Sequence, residues 1–403
     1  MTNASYIVRK SSLACCLFAV VTLYIISPWF VERKLLFNEL IAFAGLGILF
    51  YKRGKVGKDP ISLCVILILL WGLVHALVSL FRMDTFYYYL RNLVIIYSIL
   101  AFFAGYYCLP YLGKYIDRIR KFLRVYTGIF LFLRISRYLF ERFGMAMLFP
   151  ALFRNPARKW VPWLLITINI IYGFTYDSLT ALVLAMFYCL LFMSPGYKFF
   201  RQVVVILLVG FIILFFYLVP YLDIIRLHYN YYDTGAIHEV MRSNRILGID
   251  GNNTWRLVLW KEIVVDHFPA NLFGIGFGTP ALKYFPVEDY SKLETLPYLL
   301  GSHNSFVYLF GRLGLVWVFL IVPIYRCIFR EYFYYKAYYY GNRQIGLFWS
   351  FFAITVIATF NPTLESPIYS GAYWLLLGFV ARSINIRRTS IRRASATNIK
   401  PGT

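Results

Sequence analysis

The sequence predicts an all-α, polytopic membrane protein of about twelve transmembrane helices with one long, partly helical external loop. Three observations predict it. Apolar residues make up 60% of the 403 residues and charged ones only 15%. Apolar runs of roughly 18 residues or more, long enough to cross a hydrocarbon core as helix, recur along the chain. Lys and Arg are gathered in short segments between those runs. A membrane β-barrel would instead alternate apolar and polar residues over strands of ~10 residues. The net charge of +23 therefore reflects the positive-inside bias and not nucleic-acid binding.

Taken in order, the first run follows Arg9 and Lys10. No small-residue cleavage site follows it, and Pro28-Trp29-Phe30 reads as an interface, so it is expected to be a retained span and not a signal peptide. Spans are expected at 12–30, 35–51, 61–81, 86–108, 122–140, 160–175, 178–193, 203–220, 302–325, 345–361 and 367–382. The basic segments are Lys52 to Lys58, Lys114 to Lys121, Lys198 with Arg201, Arg326 to Arg343, and the tail from Arg387 to Lys400. All should be cytoplasmic. Eight crossings before residue 221 would put the later basic segments on the wrong side. A further, broken crossing at Phe143 to Phe153 restores the parity and brings the count to twelve.

The chain then divides into helices over 1–220, an external loop over 221–301, helices over 302–382 and a basic cytoplasmic tail over 383–403. Residues 221–300 hold nine acids and seven bases, against nine acids and 34 bases elsewhere, which suits the external side. Within the loop, Asn253-Thr254 is expected to cap a helix from Trp255 to about His267, ended by Pro269 and Asn271. The tyrosines of 229–232 and 332–340 are expected at membrane interfaces. Cys15, Cys16, Cys64, Cys108, Cys189 and Cys327 all fall in or at apolar runs, with neither disulfide nor zinc spacing.

The residues suited to chemistry concentrate between Asn253 and Gly314. Arg256 stands four residues before Trp260, on one helical face. A guanidinium near a helix start favours phosphate, although an Arg–Trp interface pair or a salt bridge to Glu262 or Asp266 accounts for it as well. Gly274-x-Gly276-x-Gly278 lets backbone approach a ligand, or another loop, closely. No strand precedes it, so a dinucleotide site is not expected. His303-Asn304 stands at the mouth of a span, where an imidazole can take a proton from a hydroxyl, or merely cap the helix. His75 lies inside a span and reads as a packed, hydrogen-bonded side chain. Arginine inside a membrane is costly and tends to mark function, which singles out Arg91, Arg134 and Arg137, whereas Arg82 and Arg142 read as snorkelling. Glu365, in the turn from Asn361 to Pro367, can orient the histidine, pair an arginine or stand in solvent.

In order, the chain presents Arg-x-x-x-Trp on an external helix, Gly-x-Gly-x-Gly, His-Asn at a span mouth, and Gly311-Arg312-Leu313-Gly314. This set resembles the O-antigen ligase and polysaccharide polymerase superfamily of bacterial glycan transferases. The motifs cover about 253–315, and the span pattern extends the likeness over the chain. The resemblance implies a GT-C-type helical fold in the bacterial cytoplasmic membrane, with its site facing the periplasm. It implies an undecaprenyl-diphosphate-linked glycan as donor, and a lipid A core sugar (ligase) or a carrier-linked repeat unit (polymerase) as acceptor. No nucleotide, metal or other cofactor is implied. Carried over by position, Arg256 holds diphosphate and His303 serves the acceptor hydroxyl, with Trp260, Asn304, Gly274, Gly276, Gly278 and Glu365 around the substrate. One departure stands out: Leu179 occupies the place where many members carry arginine. The second diphosphate ligand is then sought at Arg91, Arg134 or Arg245. A transporter or flippase is the main alternative from another class, and it calls for inverted repeats with broken helices, which the sequence does not show. A scaffold or assembly protein is a third.

Overall fold

A computed structural model describes residues 37–51, 59–112, 160–175, 179–231, 251–279, 302–341, 344–366 and 369–398. Every regular element among the described residues is helical. The helices are α1 (Phe37–Tyr51), α2 (Pro60–Ser79), α3 (Phe86–Asn92), α4 (Val94–Tyr97), α5 (Ala101–Leu112), α6 (Trp160–Thr175), α7 (Leu179–Met193), α8 (Tyr197–Tyr231), α9 (Gly251–Lys261), α10 (Ser305–Gly341), α11 (Ile345–Phe360) and α12 (Ser370–Asn398). Four stretches are long and apolar enough to cross a membrane: Pro60–Ser79, Phe86–Pro110, Tyr197–Leu222 and Ser305–Gly341. Shorter apolar helices coincide with the spans expected at 35–51, 160–175, 178–193 and 345–361. The expected spans at 12–30 and 122–140, the broken crossing at 143–153, and Arg134, Arg137, Arg142 and Arg245 lie outside the described residues.

Local chemistry sets several boundaries. Asp59 caps α2 by accepting from the Ser62 backbone N–H at 3.0 Å, and Pro60 follows where a missing N–H costs nothing. The apolar run expected over 86–108 is α3, α4, a 3₁₀ turn at Ser98–Leu100 and α5 in succession. Helix α8 does not stop at 220 but continues to Tyr231 through Pro220, so the start of the expected loop is helical.

The core is aromatic. Phe329 of α10 stacks on Phe352 of α11 with centroids 4.7 Å apart, and Phe187, Phe200 and Tyr332 pack around them. Part of the expected tyrosine belt is therefore interior. Tyr332 and Tyr339 are buried, bonded to Trp349 and Glu331, whereas Tyr334 and Tyr335 are exposed.

Helix α12 packs on α5 with backbones in contact. A Cβ on Gly378 would lie 2.2 Å from the Phe102 carbonyl oxygen, so glycine permits the crossing, as small residues do between membrane helices. Farther along, buried Glu331 of α10 binds Arg387 of α12 through Oε1 and Arg388 through Oε2 at 3.1 Å, and Tyr339 donates to it at 3.0 Å. Glu331→Ala would leave the buried Arg387 without its counter-charge. We expect it to cost about 3–5 kcal/mol, read as a lowered thermal unfolding midpoint in detergent.

Candidate functional site

The site is built on the N-terminal end of α10. Asn304 caps that helix: its Oδ1 accepts from the backbone N–H groups of Phe306 and Val307 at 3.0 and 3.1 Å. The hydroxyl of Ser302 donates to the Asn304 carbonyl at 2.9 Å. His303 lies between them with φ of 53°, in the left-handed region that a non-glycine residue rarely adopts. Such a conformation costs on the order of 1–3 kcal/mol and persists where its surroundings over-determine it. Here the third constraint comes from Trp260, whose indole N–H donates to the Ser302 carbonyl at 2.8 Å.

Trp260 belongs to α9, which begins at Gly251 and not at the expected Asn253-Thr254 cap. The helix loosens into a π turn at Glu262–Asp266 before Pro269. Asn271 offers its side-chain amide to the Ile263 and Val264 carbonyls that the turn releases, at 2.8 and 2.9 Å. Trp260 is buried edge-on against Phe211 of α8. Its N–H and ring are both engaged in placing the histidine turn. Asp266 pairs with Lys261 at 2.8 Å. One turn before Trp260, Arg256 is half-buried. It stands near enough to His303 for its charge to act on the imidazole. Burial first, and the Arg256 charge second, push His303 down to about 4. The imidazole is therefore neutral at physiological pH, with a cation beside it.

Glu365 reaches the same helix end from the turn between α11 and α12. It is buried, and the Ser305 hydroxyl meets its Oε2 at 2.5 Å. Ser305 also accepts from the backbone N–H groups of Thr363 and Leu364 at 2.7 and 3.0 Å. Burial raises the Glu365 carboxyl to about 7, with the Ser305 hydroxyl and the nearby Leu364 and Glu365 amides drawing it back. Asn361, in the same turn, donates to Thr180 of α7 at 3.4 Å. Leu179, where the resemblance expects arginine, thus opens its helix beside the 361–366 turn and is 40% exposed.

The glycine motif has a different use. Helix α10 is kinked at Gly314, whose φ of 71° and ψ of −163° are non-helical. The kink frees the carbonyls of Gly311 and Arg312, which accept from Ile275 and Gly276 N–H at 2.8 and 3.2 Å. A Cβ on Gly314 would sit 2.5 Å from the Leu272 oxygen, so the two chains cross only because glycine is there. The amides of Gly274 and Gly278 are engaged too, by the Ala270 carbonyl and the Asn92 side chain. Of the two uses of the motif weighed from sequence, geometry favours close packing over ligand contact. Gly314→Ala is expected to lower the unfolding midpoint in detergent, a loss of about 1–3 kcal/mol from backbone strain alone.

Sequence reasoning passed over Arg312. It is 3% exposed, with no carboxylate in reach among the described residues. Its Nη1 donates to the Gly276 and Thr279 carbonyls at 2.9 and 2.5 Å, and Nη2 to the Tyr308 hydroxyl at 3.0 Å. It also lies at the C-terminal end of the half-helix 305–313, where partial negative charge favours a cation. The same rule that singled out Arg91, an arginine within an apolar helix, would have found it. Arg91 itself is half-exposed, and its side chain makes no hydrogen bond or ion pair among the described residues. Its neighbour Asn92 donates to Tyr308 at 3.1 Å, which places Arg91 one residue from the strut that supports the half-helix. His75 is packed as expected, edge-on to Trp71 at 4.8 Å and facing Phe277.

Among the described residues, no three His, Cys, Asp or Glu side chains converge as a metal site. Comparison of the chain with family models, curated proteins and solved structures gave no match in any of the three.

Proposed function

We propose that the chain is a membrane glycan transferase of the O-antigen ligase and polymerase type. It moves a sugar chain from undecaprenyl diphosphate to an acceptor hydroxyl on the outer face of the bacterial cytoplasmic membrane. Twelve spans, cytoplasmic termini and an external 221–301 loop complete this picture. The observation that carries it is the approach of Arg256 to a half-buried His303 at the N-terminal end of α10, near enough for the guanidinium charge to bear on the imidazole, from motifs 47 residues apart.

The chemistry is a single displacement. The acceptor oxygen bonds to the anomeric carbon as the bond from that carbon to the diphosphate oxygen breaks. The leaving electron pair stays on the diphosphate, where the Arg256 guanidinium offsets the added charge. The hydroxyl proton passes to the His303 imidazole. The configuration at the anomeric carbon inverts.

Reconstituted transfer in proteoliposomes tests the reaction: the protein should release free carrier diphosphate in step with glycan transfer. A transporter or flippase would move the carrier-linked glycan and release none. A lipid A core acceptor is distinguished from a carrier-linked repeat unit by glycans from a deletion strain. Loss of all long chains from the lipid anchor marks a ligase, and capping by single repeats marks a polymerase.

A further inference from the structure

Helix α8 touches the rest of the protein at two places and parts from it between them. Phe200, Val204, Leu207, Phe211, Phe215 and Leu218 recur every three or four residues, so they form one stripe of the helix. Its ends are packed. Phe200 is buried, with its ring against Phe329 and Phe333 of α10 at 4.9 and 5.0 Å, and Phe215 and Leu218 are buried too. In the middle Val204 and Leu207 are exposed, Leu207 at 58%, and a Cβ on neighbouring Gly210 would meet nothing within 4 Å. The stripe of α10 that holds Phe333 and Phe329 continues, at the same spacing, through Arg326, Val322 and Phe319. There too the packing stops: Val322 is 54% exposed and Phe319 71%. Two apolar seams that meet at one end and separate beyond it leave a slot. At about 1.5 Å per residue it runs roughly 16 Å from Phe200 to Phe211, which reaches Trp260 at the far end. That length is close to half of a ~30 Å hydrocarbon core, the share of one leaflet.

The mouth of the slot is cationic. Arg326 stands in the α10 seam itself, between Val322 and Phe329, where the helices begin to part. Lys198, Arg201 and Arg330 lie within one turn of the Phe200 junction, and all four side chains are exposed. The Arg330 guanidinium rests over the Tyr334 ring, which also meets Tyr197 at the start of α8. None of the four pairs with a carboxylate among the described residues. Arginine set into an apolar seam is costly unless an anion meets it, and a phosphate suits its planar fork. We propose that the slot binds an anionic phospholipid from the leaflet at this basic end of α8 and α10. Its phosphate lies against Arg326 and Arg330, and one acyl chain lies between Val204 and Leu207 on one wall and Val322 and Phe319 on the other. A carrier lipid with its diphosphate at Arg256 would hold its charge beyond the opposite end, past Trp260, and leave these cations unmet. The proposal does not rest on the transferase reading.

Native mass spectrometry of the full chain in detergent tests it, with phosphatidylglycerol or phosphatidylcholine of the same acyl chains added. Phosphatidylglycerol should be retained over phosphatidylcholine by roughly 25-fold, about fivefold for each of the two arginines at the phosphate. Arg326→Ala should cut that preference by roughly fivefold. Its thermal midpoint without lipid should stay unchanged, because the side chain is exposed. Leu207→Trp combined with Val322→Trp fills the slot and spares every cation, and it should abolish retention of phosphatidylglycerol. Equal retention of the two lipids, a preference unmoved by Arg326→Ala, or retention unmoved by the double tryptophan variant overturns the proposal. So does preferred uptake of undecaprenyl phosphate that Arg326→Ala leaves unaltered, which makes the slot a carrier site. A dimer in place of a lipid adduct overturns it as well, and makes the slot an interface between copies of the chain.

Discussion

Arg256→Ala is expected to slow glycan transfer by roughly 100- to 1,000-fold, the usual effect of removing one electrostatic support from a developing anion. The loss should fall on the chemical step, because the charge on the departing diphosphate grows as the sugar bond breaks. The fold should survive. The Trp260 bond to Ser302 and the Lys261 pair with Asp266 hold α9 without passing through Arg256, and a thermal melt in detergent checks the fold of the variant. Arg256→Lys keeps a charge but not the planar fork, so it should recover only part of the rate. A second readout needs no substrate. Removing the guanidinium should raise the His303 titration midpoint from about 4, while burial continues to hold it below the ordinary imidazole range. Histidine-labelled NMR in detergent measures this. Full transfer by Arg256→Ala, with His303 titrating as before, would separate the two residues and remove the basis of the proposed site.

His303→Ala is expected to cost roughly 100- to 10,000-fold in the same assay, the range for a positioned proton acceptor. Alanine is poorly suited to the left-handed backbone at this position, so His303→Asn is the informative partner. Asparagine tolerates φ of 53° and preserves the turn, yet cannot take the proton. Both variants should be slow, and only the alanine chain should also lose thermal stability. The pH dependence has a definite sign. Burial and Arg256 keep the imidazole neutral down to about 4, so the acid limb of kcat/KM should lie near that value. A bound diphosphate offsets the Arg256 charge, so the acid limb of kcat should lie higher. A lowered histidine also makes the folded chain less stable as pH falls from the ordinary imidazole range toward about 4, because the unfolded chain binds that proton more readily. Unaltered turnover in His303→Asn would show that the imidazole takes no part.

Most of the helical frame was legible in the chain. Apolar runs predicted the helices α2, α6, α7 and α11 closely, because a segment with nowhere to place polar groups in lipid must satisfy its backbone internally as helix, whereas α10 runs on to Gly341, past the expected end at 325. Helix ends were less legible. The α8 helix runs on past Pro220, and α9 begins before its expected cap, because the neighbours that hold those turns come from distant parts of the chain. The tyrosines of 332–340 show the limit of composition: those turned inward are core, and those turned outward are exposed.

Composition and motif order by themselves determined that this is a helical, membrane-type chain, and drew attention to Arg256, the glycine run and His303. Only the tertiary structure decided what surrounds each of them. It brought the Arg256 charge within reach of the His303 imidazole, turned Trp260 into a support for the histidine turn, engaged the amides of the glycine run in packing against α10 and its neighbours, and buried Glu365 against Ser305. The physical reason is range. Helix formation follows from a residue and its near neighbours, whereas the charge state of an imidazole or a carboxyl is fixed by whichever dipoles, charges and apolar atoms the fold brings up against it.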